Sequence, residues 1–253
     1  MARYATGLWV EMMDEVHRCK RARVAEDSCS PMREATLEAE PGRSFRLEDV
    51  RANLPAQRRV NTAWAVANVL HFFAATEEAE PLRRCNPHAE RFLTGNRWVG
   101  AYGAAARPQL DRCVELLRKH PSTRRAVVCM PGLGEEQDVN RPACWCSLHL
   151  LDAGGQLDLL VYQRSLNVYG VMAYDCSLLC NILMFVAEEV GAPVGCLRWT
   201  VGSLHTVPGS RASEGRYGTP DGGVRVPNSV LRDPAACWTE LVSGANFEGW
   251  IHV

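Results

Sequence analysis

The stretch Leu159 to Asp175, LLVYQRSLNVYGVMAYD, constrains this chain more than any other. It opens as a buried strand at Leu159, Leu160 and Val161. It then passes through the polar run Tyr162-Gln163-Arg164-Ser165 into a second apolar segment ending at Tyr174-Asp175. An arginine and a glutamine inside so apolar a run need partners, because an unpaired buried charge is not tolerated. One reading is a structural ion pair at a strand end; the other is a functional site. Three further stretches shift the balance toward a site: Ser122-Thr123-Arg124-Arg125, Arg141-Pro142-Ala143-Cys144-Trp145, and Trp199 to His205.

Composition narrows the class. A chain of 253 residues with 47% hydrophobic content can bury one large core. A net charge of −1 gives no bulk field toward nucleic acid or a membrane, so any anion must be held by local arginines. Eleven cysteines without CxxC pairs or partnering histidines argue against a metal site. No apolar run reaches about 18 residues, so no membrane span is expected. The early charges Arg3, Glu11, Asp14 and Glu15 do not read as a signal peptide, and the expected compartment is the reducing cytoplasm.

Periodicity predicts helices over 6–19, 61–75, 108–119 and 176–190, with another possible at 233–242. Strands are expected at 126–130 and 196–201. A hairpin should join a strand from Cys144 to Leu151, through Asp152-Ala153-Gly154-Gly155, to the YQRS strand. Residues 27–45 read as a polar loop or short irregular strands, 76–97 as a surface excursion, and 131–142 as a Gly- and Glu-rich loop.

The segments STRRAVV, RPACW, VYQRS, AYD and GSLH, in this order, resemble the thymidylate synthase family. That family carries a paired-arginine strand start, a Pro-Cys-His nucleophile, a Tyr-Gln-Arg-Ser strand, a Phe-Asn base reader and a Gly-Asp-x-His turn. The resemblance spans about residues 110 to 205. It implies an α/β fold over 1–253: one domain with a mixed, twisted β-sheet and helices packed mainly on one face. It also implies a homodimer formed sheet to sheet. The implied substrate is a pyrimidine nucleoside monophosphate, with 5,10-methylenetetrahydrofolate, a folate, as co-substrate.

Site residues follow from the same resemblance. Cys144 is the implied nucleophile at pyrimidine C6, activated by the nearby Arg164 guanidinium. Arg164 holds the phosphate with Arg124 and Arg125 of a second subunit. Gln163, Ser165 and His205 contact the nucleotide, and Arg21 or Arg23 matches an N-terminal phosphate-binding arginine. Tyr102, in a loop before a helix, matches a tyrosine that helps remove the C5 proton. Trp98 and Asn167 fall at folate-contacting positions. Each has a plainer reading: solvated arginines, an inert strand-start cysteine, a half-buried tyrosine.

The departures are informative. Asn68 stands where the family has a catalytic glutamate; an amide can position water but cannot carry its proton. Trp145 replaces the histidine after the cysteine, and Asn167 an aspartate. Ser203 and Val207 replace an aspartate and a tyrosine near the sugar, leaving room for a 2′-hydroxyl. Asp175 replaces the base-reading asparagine. An amide matches uracil at O4 and N3, whereas a carboxyl group sharing a proton with N3 and accepting from N4 matches cytosine. Cytidylate and deoxycytidylate hydroxymethylases of this family make that replacement. Alternatively, Asp175 only caps the helix that follows it. The expectation is a CMP (or dCMP) 5-hydroxymethyltransferase. The alternatives are a folate-independent enzyme acting at C5, a dUMP or UMP methylase, and a silent nucleotide-binding homolog.

Overall fold

A computed structural model of the chain describes residues 2–19, 21–23, 36–56, 60–86, 89–94, 96–98, 101–130, 143–206, 222–234 and 251–252. Helix α1 (Ala5–Cys19) buries Leu8, Met12 and Val16, the stripe its four-residue spacing dictates. Helix α2 (Thr62–Phe73) is buried from Trp64 almost throughout, and Asn61 caps it by accepting the Trp64 N–H at 3.0 Å. Short α3 (Glu80–Cys85) follows. Helices α4 (Tyr102–Lys119) and α5 (Met172–Val190) complete the large helices, and α6 (Asn228–Arg232) is a short one.

Two helix starts differ from the sequence-based expectation. Helix α4 begins at Tyr102, so Tyr102 is its first residue and Pro108 lies inside it. Pro108 reads as a start signal, but the alanines at 104–106 favour helix strongly enough to extend it upstream. Gly103 permits the crossing with α2, since a Cβ there would collide with the Phe72 carbonyl. Helix α5 begins at Met172 rather than near 176, which places Asp175 inside its first turn. Its C-terminus is as read, with Gly191 left-handed at φ 70°.

The main sheet has seven strands: β1 (Arg21–Arg23), β2 (Thr36–Glu38), β3 (Arg43–Leu47), β6 (Val127–Cys129), β7 (Trp145–Asp152), β8 (Leu157–Asn167) and β9 (Val194–Thr206). Its order is β1-β2-β9-β8-β7-β6, with β3 also paired to β9. Strands β8 and β9 are parallel and joined through α5; the other pairs are antiparallel. Between β7 and β8, Gly154 and Gly155 take φ of 79° and 92°, and Asp152 accepts the Gly155 N–H at 2.8 Å. Minor pairs are β4 (Leu93–Thr94) with β5 (Arg97–Trp98) and β10 (Gly223–Val224) with β11 (Ile251–His252).

Helices cover one face of the sheet. Leu148, Leu150, Leu159, Val161, Trp199 and Val201 are buried beneath them. On the other face Leu160, His149 and Thr200 are half-buried, and Tyr162 is 47% exposed. The loop at 131–142 and most of the helix expected at 233–242 lie outside the described residues. Among the described residues no helix is long and apolar enough to cross a membrane.

Candidate active site

The polar groups of the YQRS strand meet the start of β7 and the first turns of α4 and α5 at one end of the sheet. Trp145 pairs with Gln163 across the strands, but the next pair is Ser147 with Tyr162. Cys146 is therefore the extra residue of a β-bulge, a device that re-aims side chains. The bulge turns Trp145 inward with Leu148 and Leu150, and it breaks the simple alternation that would group Cys146 with Cys144.

Arg164 holds Cys144 at several points. Its backbone N–H donates to the Cys144 carbonyl at 2.8 Å, its Nε to the Ala143 carbonyl at 2.9 Å, and its Nη2 lies 3.9 Å from the Cys144 Sγ. The expected partner of the arginine, half-buried here, is thus the segment carrying the cysteine. The expected lowering of the thiol pKa is present but outweighed. Burial pushes the Cys144 thiol up more than the guanidinium pulls it down, and Asp175 opposes the thiolate further. Cys144 is held as a thiol until something else favours its ionisation.

Tyr102, as the first residue of α4, accepts the Cys144 backbone N–H at its hydroxyl, 3.2 Å away. Its ring stacks on Trp145 with centroids 4.6 Å apart. Burial, with Cys144 and Asp175 nearby, keeps this phenol protonated well above its usual range.

Asp175 does not cap α5. Val171 holds the N-cap position, and the Asp175 N–H is already inside the helical ladder, bonded to the Val171 carbonyl at 3.1 Å. Its carboxyl Oδ2 accepts from Gln163 Nε2 at 3.0 Å. Gln163 cannot flip. Its Oε1 accepts from the Trp199 indole N–H at 3.1 Å, and an indole can only donate. Nε2 must then face Asp175, and it also donates to the Ser165 carbonyl at 2.9 Å. Asp175 is half-buried as a residue, but its carboxyl is enclosed. Burial raises its pKa from 3.8 to about 6, with the Gln163 donor pulling it back.

His205, near the end of β9, stands opposite Asn167 of β8, two positions beyond the Ser165–Ser203 pair. Burial lowers its pKa, against the pull of the Ser203 backbone and Glu38, so the imidazole is neutral at pH 7. Asn167 closes the β8–α5 turn by accepting the Gly170 N–H at 2.8 Å. Asn68 donates to the Trp64 carbonyl of its own helix at 2.7 Å. Trp98 sets its ring edge-on to Trp64 at 5.4 Å.

Cys144, Arg164, Tyr102, Gln163 and Asp175 thus form one connected group. Arg124 and Arg125 do not join it within the protomer. They are exposed ahead of β6, whose other end meets the bulge through the Cys129–Ser147 pair and the Met130 N–H to Cys146 carbonyl bond. That is on the order of 15–20 Å along the strand. Arg21 and Arg23 place their backbone in β1, and their side chains lie outside the described residues. The sequence reading missed Trp199 as the group that orients Gln163. The signal was available: a buried glutamine beside an acid needs a donor for its carbonyl.

Among the described residues no group of three or more His, Cys, Asp or Glu is placed to hold a metal ion. The profile of the thymidylate synthase family matches residues 34–207, which include every residue of that connected group. The chain belongs to the thymidylate synthase family.

Proposed function

We propose that this protein is a cytidylate 5-hydroxymethyltransferase, acting on CMP or dCMP. The carrying observation is Asp175: an enclosed carboxyl, anchored by an amide that cannot flip, with a pKa of about 6. Such a group shares one proton with cytosine N3 near neutrality and accepts from N4; in its ionised form it can only accept, and so it opposes uracil O4.

The family's chemistry is one-carbon transfer to pyrimidine C5. In this reading Cys144 adds to C6 as a thiolate, with the Arg164 guanidinium and the Tyr102 hydroxyl stabilising the anion. Addition makes C5 nucleophilic. Methylenetetrahydrofolate, when bound, supplies the carbon that C5 attacks. C5 then loses its proton with the help of the Tyr102 hydroxyl as the bond from that carbon to the tetrahydrofolate nitrogen breaks, water adds to the resulting exocyclic methylene, and the sulfur leaves C6 as the 5,6 double bond re-forms. Asn68, beside the base, orders water rather than accepting a proton. His205 and Ser165 hold the sugar and phosphate side.

Trp98, packed against Trp64, is the aromatic ring this reading gives to the folate. Asn167 fits less well: its amide oxygen already accepts from Gly170 and carries no charge, which leaves a weaker acceptor where the family has a carboxylate. That observation favours a second reading, C5 chemistry without folate. Tritium release from CMP, dCMP and dUMP labelled at C5, with and without methylenetetrahydrofolate, separates the two. The expected result is folate-dependent release from CMP or dCMP. Release without folate gives the second reading, release from dUMP alone rejects cytosine recognition, and no release from any of the three rejects both.

The sheet face that no described helix covers, with Leu160, His149 and the 47% exposed Tyr162, is the proposed homodimer surface. Back-to-back pairing carries Arg124 and Arg125 to the partner's phosphate site, beside Arg164, where guanidinium forks suit a phosphate. Mixing inactive Cys144→Ser and Arg124→Ala dimers is then expected to restore roughly a quarter of wild-type activity through hybrid sites. No recovery after verified subunit exchange would count against shared sites.

A further inference from the structure

Trp145 is fully buried, yet its indole N–H has no hydrogen-bond partner among the described residues. Unpaired buried donors are rare and call for a physical account. The bulge at Cys146 brings the ring onto the face that Gln163 also occupies, since directly paired residues share a face. Gln163 in turn grips the Asp175 carboxyl at 3.0 Å. The indole N–H favours the ionised Asp175, although it stops short of a formed hydrogen bond. On its other side the same ring stacks on Tyr102 at 4.6 Å, and the Tyr102 hydroxyl receives the Cys144 N–H at 3.2 Å.

We propose that Trp145 is a positioning residue that ties the base reader to the nucleophile, its indole N–H closing on the Asp175 carboxyl while its ring holds Tyr102 against the Cys144 amide. A carboxylate has about four lone-pair positions. With Gln163 and Trp145 filling two, the remaining two face the base and can accept the N3 and N4 protons of a protonated cytosine. The indole donor, short of its bond, becomes satisfied as the carboxyl settles on its ligand. The role rests on Asp175 being the base reader. The other titratable groups facing Asp175 are the Tyr102 hydroxyl from α4 and the Cys144 thiol ahead of β7. Both stay protonated over the range in which Asp175 titrates.

Trp145→Phe removes the N–H and keeps an aromatic ring against Tyr102 and Phe72, whose ring lies 6.3 Å from that of Trp145. In nucleotide-free protein carrying carbon-13-labelled aspartate, the Asp175 carboxyl should titrate about one pH unit higher in the variant. An unmoved titration overturns the proposal, because a purely structural ring would change stability and not this midpoint. Should the variant fail to fold, the wild-type protein serves. One of its 7 tryptophan indole N–H resonances should follow the Asp175 titration and lose that dependence in Asp175→Asn. Seven indoles indifferent to pH across the titration would overturn it equally. A raised midpoint in a protein that releases tritium from no pyrimidine nucleotide would support the Trp145 role and reject the cytidylate reading.

Discussion

Cys144→Ser is expected to lower turnover at least about a thousandfold, a barrier increase of roughly 4 kcal/mol, while nucleotide binding stays within a few-fold. The two side chains have nearly the same shape, so the contacts of Arg164 and Tyr102 with the backbone at 143–144 survive. What changes is the acidity of the nucleophile. Burial already disfavours the Cys144 anion, and Arg164 offsets only part of that cost. A hydroxyl in the same surroundings starts from a far weaker acid and has no comparable route to an anion. Tritium release gives turnover and calorimetry gives nucleotide affinity. A variant keeping more than about a tenth of wild-type kcat, less than about 1.4 kcal/mol of barrier, would remove Cys144 from the chemistry.

The run from Leu159 to Asp175 was legible because two rules act on it at once. Its apolar pattern demands a buried strand and helix, and its arginine and glutamine demand partners inside them. Both demands are met, by Cys144 and Asp175 respectively. The hairpin turn was legible from its glycines. Trp145 was not, because a two-residue alternation cannot reveal that one extra residue at Cys146 turns the ring inward. The start of α4 was hidden for a different reason: Pro108 is a local signal, and the Gly103–Phe72 crossing that favours an earlier start is a tertiary contact. The direction of the Cys144 thiol shift was misjudged because sequence names the charged neighbour but not the depth of burial, and here burial wins. Arg124 and Arg125 stand at the end of β6 away from the site, so only the resemblance, and no contact within the protomer, joins them to it.

Asp175→Asn is expected to turn base preference from cytosine toward uracil and to stabilise the fold at neutral pH. Trp199 fixes Gln163 with its Nε2 toward position 175, so the new amide must offer its oxygen to Gln163 and its nitrogen toward the base. That nitrogen donates to uracil O4 but opposes the N4 amino group of cytosine. Each such mismatch costs on the order of 1–3 kcal/mol, or roughly 5- to 150-fold in the ratio of kcat/KM for CMP and UMP. The stability change has a defined sign. A folded pKa of about 6 against an ordinary 3.8 means the native state holds the carboxyl proton more tightly than the unfolded chain does. The stability from that proton is fully present below 3.8 and is lost as pH rises through about 6. At pH 8 the ionised carboxylate therefore costs the wild-type protein about 3 kcal/mol. Asparagine removes that cost, so urea unfolding should show the variant more stable at pH 8 and level with wild type near pH 4. A stability difference that does not change with pH would mean the carboxyl is not enclosed as described. A kcat/KM ratio that does not move toward uracil would mean Asp175 serves the fold and not the base, and the cytidylate assignment would fall with it.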